Sequence, residues 1–420
     1  MISLSIQSKL WITTLAVLLL ALPLLVACGD SEGKAEPTEP GTSSKPVEII
    51  IGNLTDKTGA SANALAPIDM ALADAVAYYN DENIIPGVKL KVIEYDGAYK
   101  PSNDIPGYEW LKEKGADLIF TNVPATPISL KARVNRDKIV LFTSGGNKET
   151  ITPPGYIFVP AILPEENAYT LLQWVSAKDP DFPTDRPAII GGAGWSTPYN
   201  YALHDAMKEY AEAYPDKFQW EGSYTIDMGF NWQTEVEALK DCDYVMLPIA
   251  MVNFIKQYRQ AGYTAKFIGS SAQLAFLYSI RDARVWDEFD GTLFVLPSGW
   301  WNEDTAIINL TKELLFKNHP DSAEEIMQDG NAYIAIDLIY QILEIIAAAV
   351  ETVGPENFDS QALYDAAQSY SQTVDGVVHA SFTETKRTSM DYLGVYEARA
   401  AQEDLFRVDE EWYPVVRSPE

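Results

Sequence analysis

Residues 194–198 (Gly-Trp-Ser-Thr-Pro) follow a predicted strand and precede a predicted helix, the position of a hydrolase's nucleophilic serine. The Ser196 hydroxyl could attack an ester or amide if a histidine stood beside it. However, Pro198 replaces the closing glycine of that motif, and His204 lies on the helix that follows. The three histidines are scattered, and no metal-binding spacing or complete dinucleotide loop occurs. The sequence therefore argues against an enzyme and predicts no metal or cofactor.

Two short loops, residues 122–126 and 143–147, carry small polar side chains suited to binding a carboxylate. Hydroxyls and backbone N–H groups hydrogen-bond an anion, and nearby helix N-termini add a favourable potential. A third loop, residues 54–63, is a further candidate wall of the same site. The candidate contacts in the first two loops are Asn122, Ala125, Thr126, Ser144, Gly145, Gly146 and Asn147.

Several aromatic residues could form an apolar wall beside these loops. Trp195, Phe276, Trp300 and Trp301 are the candidates, because aromatic rings commonly line small-molecule pockets. The alternative for each one is ordinary packing in the core or between domains.

The elements that must position these loops follow a βαβ pattern. Residues 47–51 (VEIII) are mostly β-branched, as in a buried strand. Apolar residues then recur at steps of three and four from residue 65 to 79, which predicts a helix with Pro67 in its first turn. Residues 89–95 form the next strand. In a parallel α/β sheet the loops at the carboxyl ends of the strands share one edge, where ligands bind.

The same pattern restarts after an extended segment at residues 156–161. Strands are predicted at 187–191, 222–225, 244–247 and 266–269, with helices between them, which indicates a second domain of similar construction. Residues 332–353 form a helix that is apolar nearly all round. Because Asp337, Gln341 and Glu344 interrupt it, we interpret it as a core helix and not a membrane span.

The N-terminus has the features of an exported, anchored protein. Residues 1–27 combine one basic residue, Lys9, with a long apolar run, as in a secretory signal; a plain membrane-spanning helix is the alternative. Residues 25–28 (Leu-Val-Ala-Cys) resemble the bacterial lipobox, which implies lipidation of Cys28 and attachment at the outer face of the cytoplasmic membrane. Residues 28–46 read as a flexible tether.

Composition excludes some partners. Cleavage after residue 27 removes Lys9 alone and changes the formal net charge from −29 to −30. Nucleic acids and anionic lipid surfaces need a basic patch, so neither is expected as a partner. Cys28 and Cys242 are the only cysteines. If Cys28 is lipidated no internal disulfide can form, and Cys242 is expected to be an inert, partly buried thiol.

The stretches IIIGNLTDKTG, GADLIFTNVPAT, KIVLFTSGGN and PAIIGGAGWSTPYNYALHDAMKE together resemble the leucine/isoleucine/valine-binding proteins of ABC importers. The likeness covers nearly all of residues 47–416. It implies a two-lobed, hinged type I periplasmic-binding fold with three crossovers, each lobe a mainly parallel sheet with helices on both faces. One lobe would comprise residues 47–160 and 293–378, and the other residues 161–292 and 379–420.

The resemblance also implies where a ligand binds. The loops 122–126 and 143–147 would hold its carboxylate, with Pro124 and Ala125 standing where the family usually offers serine. On the other lobe, Trp195 or Ser196 and the position near Ile249 align with aromatic wall positions, and Trp300 is a further candidate. Ala64 aligns with a bulkier residue, which would leave a roomier pocket.

Ser271 departs from this pattern, because amino-acid binders of the family carry an acid there to pair with the ligand ammonium. A buried ammonium without a partner is strongly disfavoured. Two alternatives follow. Either another acid, Glu165 or Glu166 first, replaces it, or the ligand is a carboxylate or amide without an ammonium group, which is the expectation we adopt.

The resemblance favours a monomeric solute-binding lipoprotein that delivers a small molecule to an ABC permease. A receptor lobe that senses a ligand and signals to a membrane partner is the first alternative, and a hydrolase is the second. The catalytic pattern is poor and the binding-protein pattern is nearly complete, so the first interpretation stands ahead of both.

Overall fold

Two sheets with the same strand order organise the chain. The computed structural model describes residues 45–374 and 377–419, and the predicted signal, most of the tether and Cys28 lie outside them. The first sheet is wholly parallel, in the order β2-β1-β3-β4-β5. Its strands are β1 (Val47–Thr55), β2 (Val88–Asp96), β3 (Leu118–Thr121), β4 (Leu141–Thr143) and β5 (Ile157–Phe158).

The second sheet repeats that order with an added antiparallel edge. Its parallel part runs β7-β6-β8-β9-β10, and β13, β14 and β15 extend it beyond β10. A separate hairpin pairs β11 with β12. These strands are β6 (Ala188–Trp195), β7 (Phe218–Ile226), β8 (Tyr244–Met246), β9 (Lys266–Gly269), β10 (Leu293–Leu296), β11 (Ser371–Val374), β12 (Val377–Ser381), β13 (Tyr392–Arg399), β14 (Asp404–Arg407) and β15 (Tyr413–Pro414).

Fifteen α-helices of the described chain connect and cover these strands. They are α1 (Ala62–Asp81), α2 (Pro101–Glu113), α3 (Thr126–Asp137), α4 (Lys148–Ile151), α5 (Pro164–Lys178), α6 (Pro198–Ala213), α7 (Gln233–Ala238), α8 (Met251–Gln260), α9 (Ser271–Leu274), α10 (Tyr278–Ala283), α11 (Trp286–Phe289), α12 (Ala306–Asn318), α13 (Ala323–Asp329), α14 (Ile336–Val353) and α15 (Ser360–Ser369). The alternation of strands and helices confirms the predicted α/β class.

The first strand and helix are longer than the sequence pattern predicted. β1 continues to Thr55 because its last residues pair in register with Glu94, Tyr95 and Asp96 of β2. α1 begins at Ala62, so Pro67 lies inside it and the prediction that it occupies the first turn is wrong. The carboxylate of Asp56 accepts hydrogen bonds from the backbone and hydroxyl of Ser61, both at 2.8 Å, which holds the extra turn in place.

The long helix α14 is a core helix, as predicted. Among the described residues, Tyr333–Val353 is the one helical stretch long and apolar enough to cross a membrane by length and composition alone, and most of it is buried inside the protein. α14 packs against α1, where the rings of Tyr340 and Tyr79 meet edge to face. Its first turn carries Asp337.

The strand β10 belongs to the second sheet, whereas the predicted domain boundaries place it in the first lobe. The resemblance predicts that residues 293–378 belong to the first lobe, but Leu293 and Phe294 pair with β9 and the whole of β10 pairs with β13 in the second sheet. We therefore propose that the chain returns to the first lobe after Leu296. The remaining lobe boundaries stay predictions.

Candidate ligand-binding cavity

The carboxyl ends of strands from both sheets meet around one cavity of about 200 Å³. The loops after β1, β3 and β4 line one side, and those after β6, β8 and β9 line the other. Because both sheets have the doubly wound order, each contributes its topological switch point, where ligands of such sheets bind. The lining residues are Ala60, Ser61, Ala64, Leu65, Ile68, Tyr99, Asn122, Pro124, Ser144, Gly145, Pro160, Ala161, Ile162, Leu163, Asn167, Trp195, Thr197, Tyr199, Ile249, Ser271, Ala272, Ala275, Phe276, Leu296, Pro297, Ser298, Asn331, Ala332, Ile334, Ala335, Asp337 and Leu338.

The predicted anion loops after β3 and β4 contact each other at the cavity wall. The hydroxyl of Ser144 donates to Asn122 Oδ1 at 2.6 Å. A Cβ on Gly145 would lie 2.6 Å from Pro124 Cα, so only glycine fits there. Asn122 is 8% exposed, and its Nδ2 has no hydrogen-bond partner among the described residues. A donor is therefore left available beside the cavity.

Asn167 presents a second unsatisfied amide. It lies in the first turns of α5, is 2% exposed, and lines the cavity. Neither its Nδ2 nor its Oδ1 has a partner in the described part of the chain. Leaving a buried polar group unpaired typically costs about 1–3 kcal/mol, so such groups call for an explanation. A ligand that bonds to both atoms would supply one.

The opposite wall comes from the second sheet and is largely apolar. Trp195 Nε1 donates to the carbonyl of Gly229 at 3.0 Å, which fixes the indole at the end of β6. The hydroxyls of Tyr199 and Ser270 lie 2.8 Å apart, and burial raises the pKa of Tyr199 to about 12. Ile249 contributes a branched aliphatic surface where the resemblance suggested an aromatic one.

Asp337 is the one charged residue among the cavity-lining residues described here. Burial is the largest cause that raises the pKa of its carboxyl, to about 7, and the negative charge of Glu344 on the same helix adds to the effect. No described side chain or backbone group donates a hydrogen bond to it. The cavity therefore combines apolar walls, two unpaired amides and one unpaired acid.

The structure brings together half of the predicted site residues. Asn122, Ser144, Gly145, Trp195, Ile249 and Ser271 line the cavity. The other six, Ala125, Thr126, Gly146, Asn147, Ser196 and Trp300, are not among its lining residues.

The contacts of those other residues explain their positions. Thr126 donates to Asp104 at 3.0 Å, and Asn147 caps α4 by accepting from the backbone of Thr150. Trp300 is fully buried, and its indole donates to Asp404 at 2.7 Å. These three side chains serve packing and local hydrogen bonding in the structure.

Neither acid proposed as a replacement at Ser271 reaches the cavity. Glu165 Oε1 accepts from the backbone of Lys148 at 2.8 Å, and Glu166 accepts from Leu163 N and the hydroxyl of Thr388. Burial raises the pKa of both carboxyls. The amide of Asn331 donates to the carbonyl of Ser271 at 3.0 Å. Ser271 thus contacts the segment that leads to Asp337. The family resemblance did not indicate Asp337 as an acid of the site.

The geometry gives the hydrolase interpretation no support. The hydroxyl of Ser196 donates to Thr225, and His204 Nδ1 lies 2.7 Å from the hydroxyl of Ser223. Burial lowers the pKa of His204 to about 4, so the ring is neutral at physiological pH. Cys242 is buried, and burial raises its pKa to about 12, as expected of an inert thiol. Among the described residues no cluster of three metal-binding side chains occurs.

Solved transporter-associated binding proteins have a fold similar to that of this chain. A branched-chain amino acid ABC transporter protein from Thermus thermophilus with bound valine has a TM-score of 0.75 and 18% identity, covering 89% of this chain and 98% of its own. A fatty acid ABC transporter substrate-binding protein from Thermomonospora curvata has a TM-score of 0.69 and 17% identity, and the match covers 90% of this chain and 95% of that protein. A solute-binding protein from R. palustris in complex with 4-hydroxybenzoate has a TM-score of 0.70 and 14% identity, and the match covers 88% of this chain and 97% of that protein.

The sequence itself identifies the family. The profile described as periplasmic binding protein matches residues 48–402, which is most of the chain. No curated protein matches the sequence significantly. The chain belongs to the periplasmic binding protein family, and its fold is the two-lobed type I fold of that family. This confirms the predicted fold class.

Proposed function

We propose that this protein is the solute-binding component of an ABC transporter, which captures a small molecule in the cavity and delivers it to a permease. The observation that carries the proposal is the cavity itself: loops at the strand ends of both sheets line it, and it contains buried polar groups that have no partner among the described residues. Family membership and the transporter proteins with the same fold support it.

The cavity favours a small molecule with a mainly apolar body and a polar head. Leu65, Ile68, Ile249 and Phe276 provide apolar surface, and a single water needs only about 10–15 Å³ of such space, so about 200 Å³ admits a multi-atom ligand. The structural relatives bind valine, 4-hydroxybenzoate or, by name, fatty acids. An amino-acid-like, carboxylate or amide ligand is the corresponding proposal for this chain.

The proposed location is the outer face of the cytoplasmic membrane, with Cys28 lipidated and residues 28–46 as the tether. The support comes from the apolar N-terminal run, the lipobox-like residues 25–28 and a following segment without large apolar residues. A monomer on such a tether could reach a permease in the same membrane.

A thermal-shift screen over amino acids, amines, carboxylates and amides tests the binding function. A solute that binds the folded state raises the unfolding midpoint. The same screen on Ala64→Trp, which fills the cavity, should lose the shift, whereas Ala213→Trp at the exposed end of α6 should keep it. If no solute shifts the folded wild-type protein, or if Ala64→Trp responds unchanged, binding in this cavity is excluded. Loss of uptake of the identified solute in cells lacking the protein would then separate transport from sensing.

A further inference from the structure

The cavity acid Asp337 has no hydrogen-bonding or ion-pair partner among the described residues. It lies in the first turn of α14, is only partly buried, and lines the cavity beside Ile334 and Leu338. Within the described residues, its carboxylate takes part in no hydrogen bond and no ion pair. A desolvated carboxylate without a partner is unfavourable, and such groups concentrate at functional sites.

The groups packed around Asp337 do not neutralise it. Glu344 lies two turns further along α14, and Tyr370 at the end of α15 donates a hydrogen bond to Glu344 at 2.7 Å. The charge of Asp337 also acts on Tyr370, and Tyr99 and Tyr199 are the other titratable residues in the described cavity lining. These are acids and phenols, so the protein's own charges near Asp337 are negative. The N-terminus of α14 gives the carboxylate modest support.

The missing partner is therefore a cation or a hydrogen-bond donor from outside the chain. No Lys, Arg or His occurs among the described lining residues, and the formal net charge of the protein is −29. Both facts favour a positively charged group over an anionic one. Resting on the proposed function, we propose that Asp337 determines specificity by pairing with a protonated amine on a ligand whose body is mainly apolar.

The remaining polar groups set the limits of this ligand class. Asn122 and Asn167 are neutral amides, and each can serve a carboxylate, an amide or a hydroxyl on the same ligand. An apolar amino acid and the corresponding amine without its carboxylate share the required chemistry. This inference replaces the alternative of a ligand without an ammonium group, because Asp337 is the acid that Ser271 lacks.

Titration calorimetry on two matched sets of probes tests the assignment. One set is L-leucine, 3-methylbutylamine and 4-methylpentanoate; the other is L-phenylalanine, 2-phenylethylamine and 3-phenylpropanoate. In at least one set the amine-bearing members should bind, and the acid without an amine should bind more weakly by on the order of a hundredfold. Tighter binding of the acids in both sets would overturn the role of Asp337 while leaving the proposed function intact.

Two isosteric variants and a pH series test whether the Asp337 carboxylate causes the preference for amine-bearing probes. Asp337→Asn should weaken binding of the amine-bearing probe by on the order of a hundredfold. Glu165→Gln, which alters a buried acid outside the lining residues, should leave it unchanged. Since the ionised carboxylate binds the amine, wild-type affinity should fall about tenfold per pH unit below the pKa of Asp337, and Asp337→Asn should remove that dependence.

An unchanged affinity in Asp337→Asn, or an equal loss in Glu165→Gln, would overturn the inference. If none of the six probes binds but another solute stabilises the protein, the inference fails and the proposed function stands. If no solute of any class binds, the proposed function fails.

Discussion

The hydroxyl of Ser144 donates a hydrogen bond to Asn122 Oδ1 across 2.6 Å, joining the loops that follow two neighbouring strands. Because Asn122 Oδ1 accepts this bond, the orientation of the amide is fixed, and Nδ2 is the atom left without a partner among the described residues. The pair acts as a positioned donor at the cavity wall. Asn167, in contrast, has both polar atoms unpaired within the part of the chain that the structure describes, so its full hydrogen-bonding capacity remains available to a ligand.

We predict that Asn167→Leu stabilises the ligand-free protein and weakens ligand binding. The substitution removes two buried, unpaired polar atoms and keeps a similar volume, so a gain of about 1–3 kcal/mol in the free energy of unfolding is expected. Urea denaturation of the ligand-free protein measures the gain, and calorimetry with the identified solute measures the loss.

The matched control is Asn80→Leu, which is expected to decrease the free energy of unfolding. Asn80 exchanges two hydrogen bonds with the backbone of Leu90, at 2.9 and 3.0 Å, so its replacement leaves backbone groups unpaired. If both variants destabilise the protein to the same extent, Asn167 has a structural role that its lack of partners does not reveal.

The fold was predictable because local pattern and topology agreed. A β-branched start to β1, apolar spacing in α1 and polar loops at strand ends are local signals of a βαβ unit. The length of α1 was not predictable, since it depends on Asp56 and Ser61 meeting in space. The membership of β10 was not predictable either, because a short apolar strand carries no sign of which sheet it will join.

The site was predictable only where it lies next to a strand end. Asn122 and Ser144 directly follow strands, Trp195 ends β6, and Ser271 lies two residues after β9, so topology places all four at the cavity. Asn167 lies within a helix, in a run of buried residues, and no spacing distinguishes it. Asp337 did leave a signal: it is one of the few charged residues in a largely apolar helix, which indicates a functional or paired acid but not which part of the fold it faces.

We predict that the two lobes close on the ligand by a hinge at the three segments where the chain is expected to cross between them, near Pro160, Pro297 and Val378. Next to the first segment, Val159 N donates to the carbonyl of Arg387 and Ser389 N donates to that of Val159. The other two segments lie close together, since the carbonyl of Pro297 is 3.2 Å from His379 Nε2. A paired hinge lets the lobes rotate as rigid bodies.

Small-angle scattering with and without saturating solute measures this closure as a decrease in the radius of gyration. The filled-cavity variant Ala64→Trp is the control and should show no ligand-dependent change. A scattering profile that solute leaves unaltered, in a wild-type protein shown to bind it, would contradict the hinge.

We predict that Cys28 alone anchors the protein. The following residues 29–46 hold no large apolar side chain, so Cys28→Ala should produce an exported protein that is free of the membrane. Membrane fractionation after a salt wash measures this, and Cys242→Ala is the control because Cys242 is buried in the domain. A Cys28→Ala protein that still pellets with membranes would show that another segment holds it.

The last prediction concerns the cost of keeping Asp337 unpaired. Its carboxyl pKa is raised from 3.8 to about 7 in the folded, ligand-free protein. A carboxyl whose pKa is higher folded than unfolded destabilises the protein as pH rises from the unfolded to the folded value, and contributes nothing below both. Asp337→Asn removes this cost. It should therefore increase the free energy of unfolding by up to about 4 kcal/mol near pH 8 and by little near pH 4.

Urea denaturation of wild type and Asp337→Asn at several pH values measures this difference. The control is Asp137→Asn, because Arg136 first, and then Lys112, lower the pKa of the Asp137 carboxyl. A carboxyl of that kind stabilises the protein above its unfolded pKa, so Asp137→Asn should destabilise at neutral pH, with the opposite sign to Asp337→Asn. If Asp337→Asn destabilises the ligand-free protein near pH 8, the carboxylate has a stabilising partner within the chain and is not reserved for a ligand. A gain that disappears once the amine-bearing probe is bound would show that the ligand supplies the missing partner.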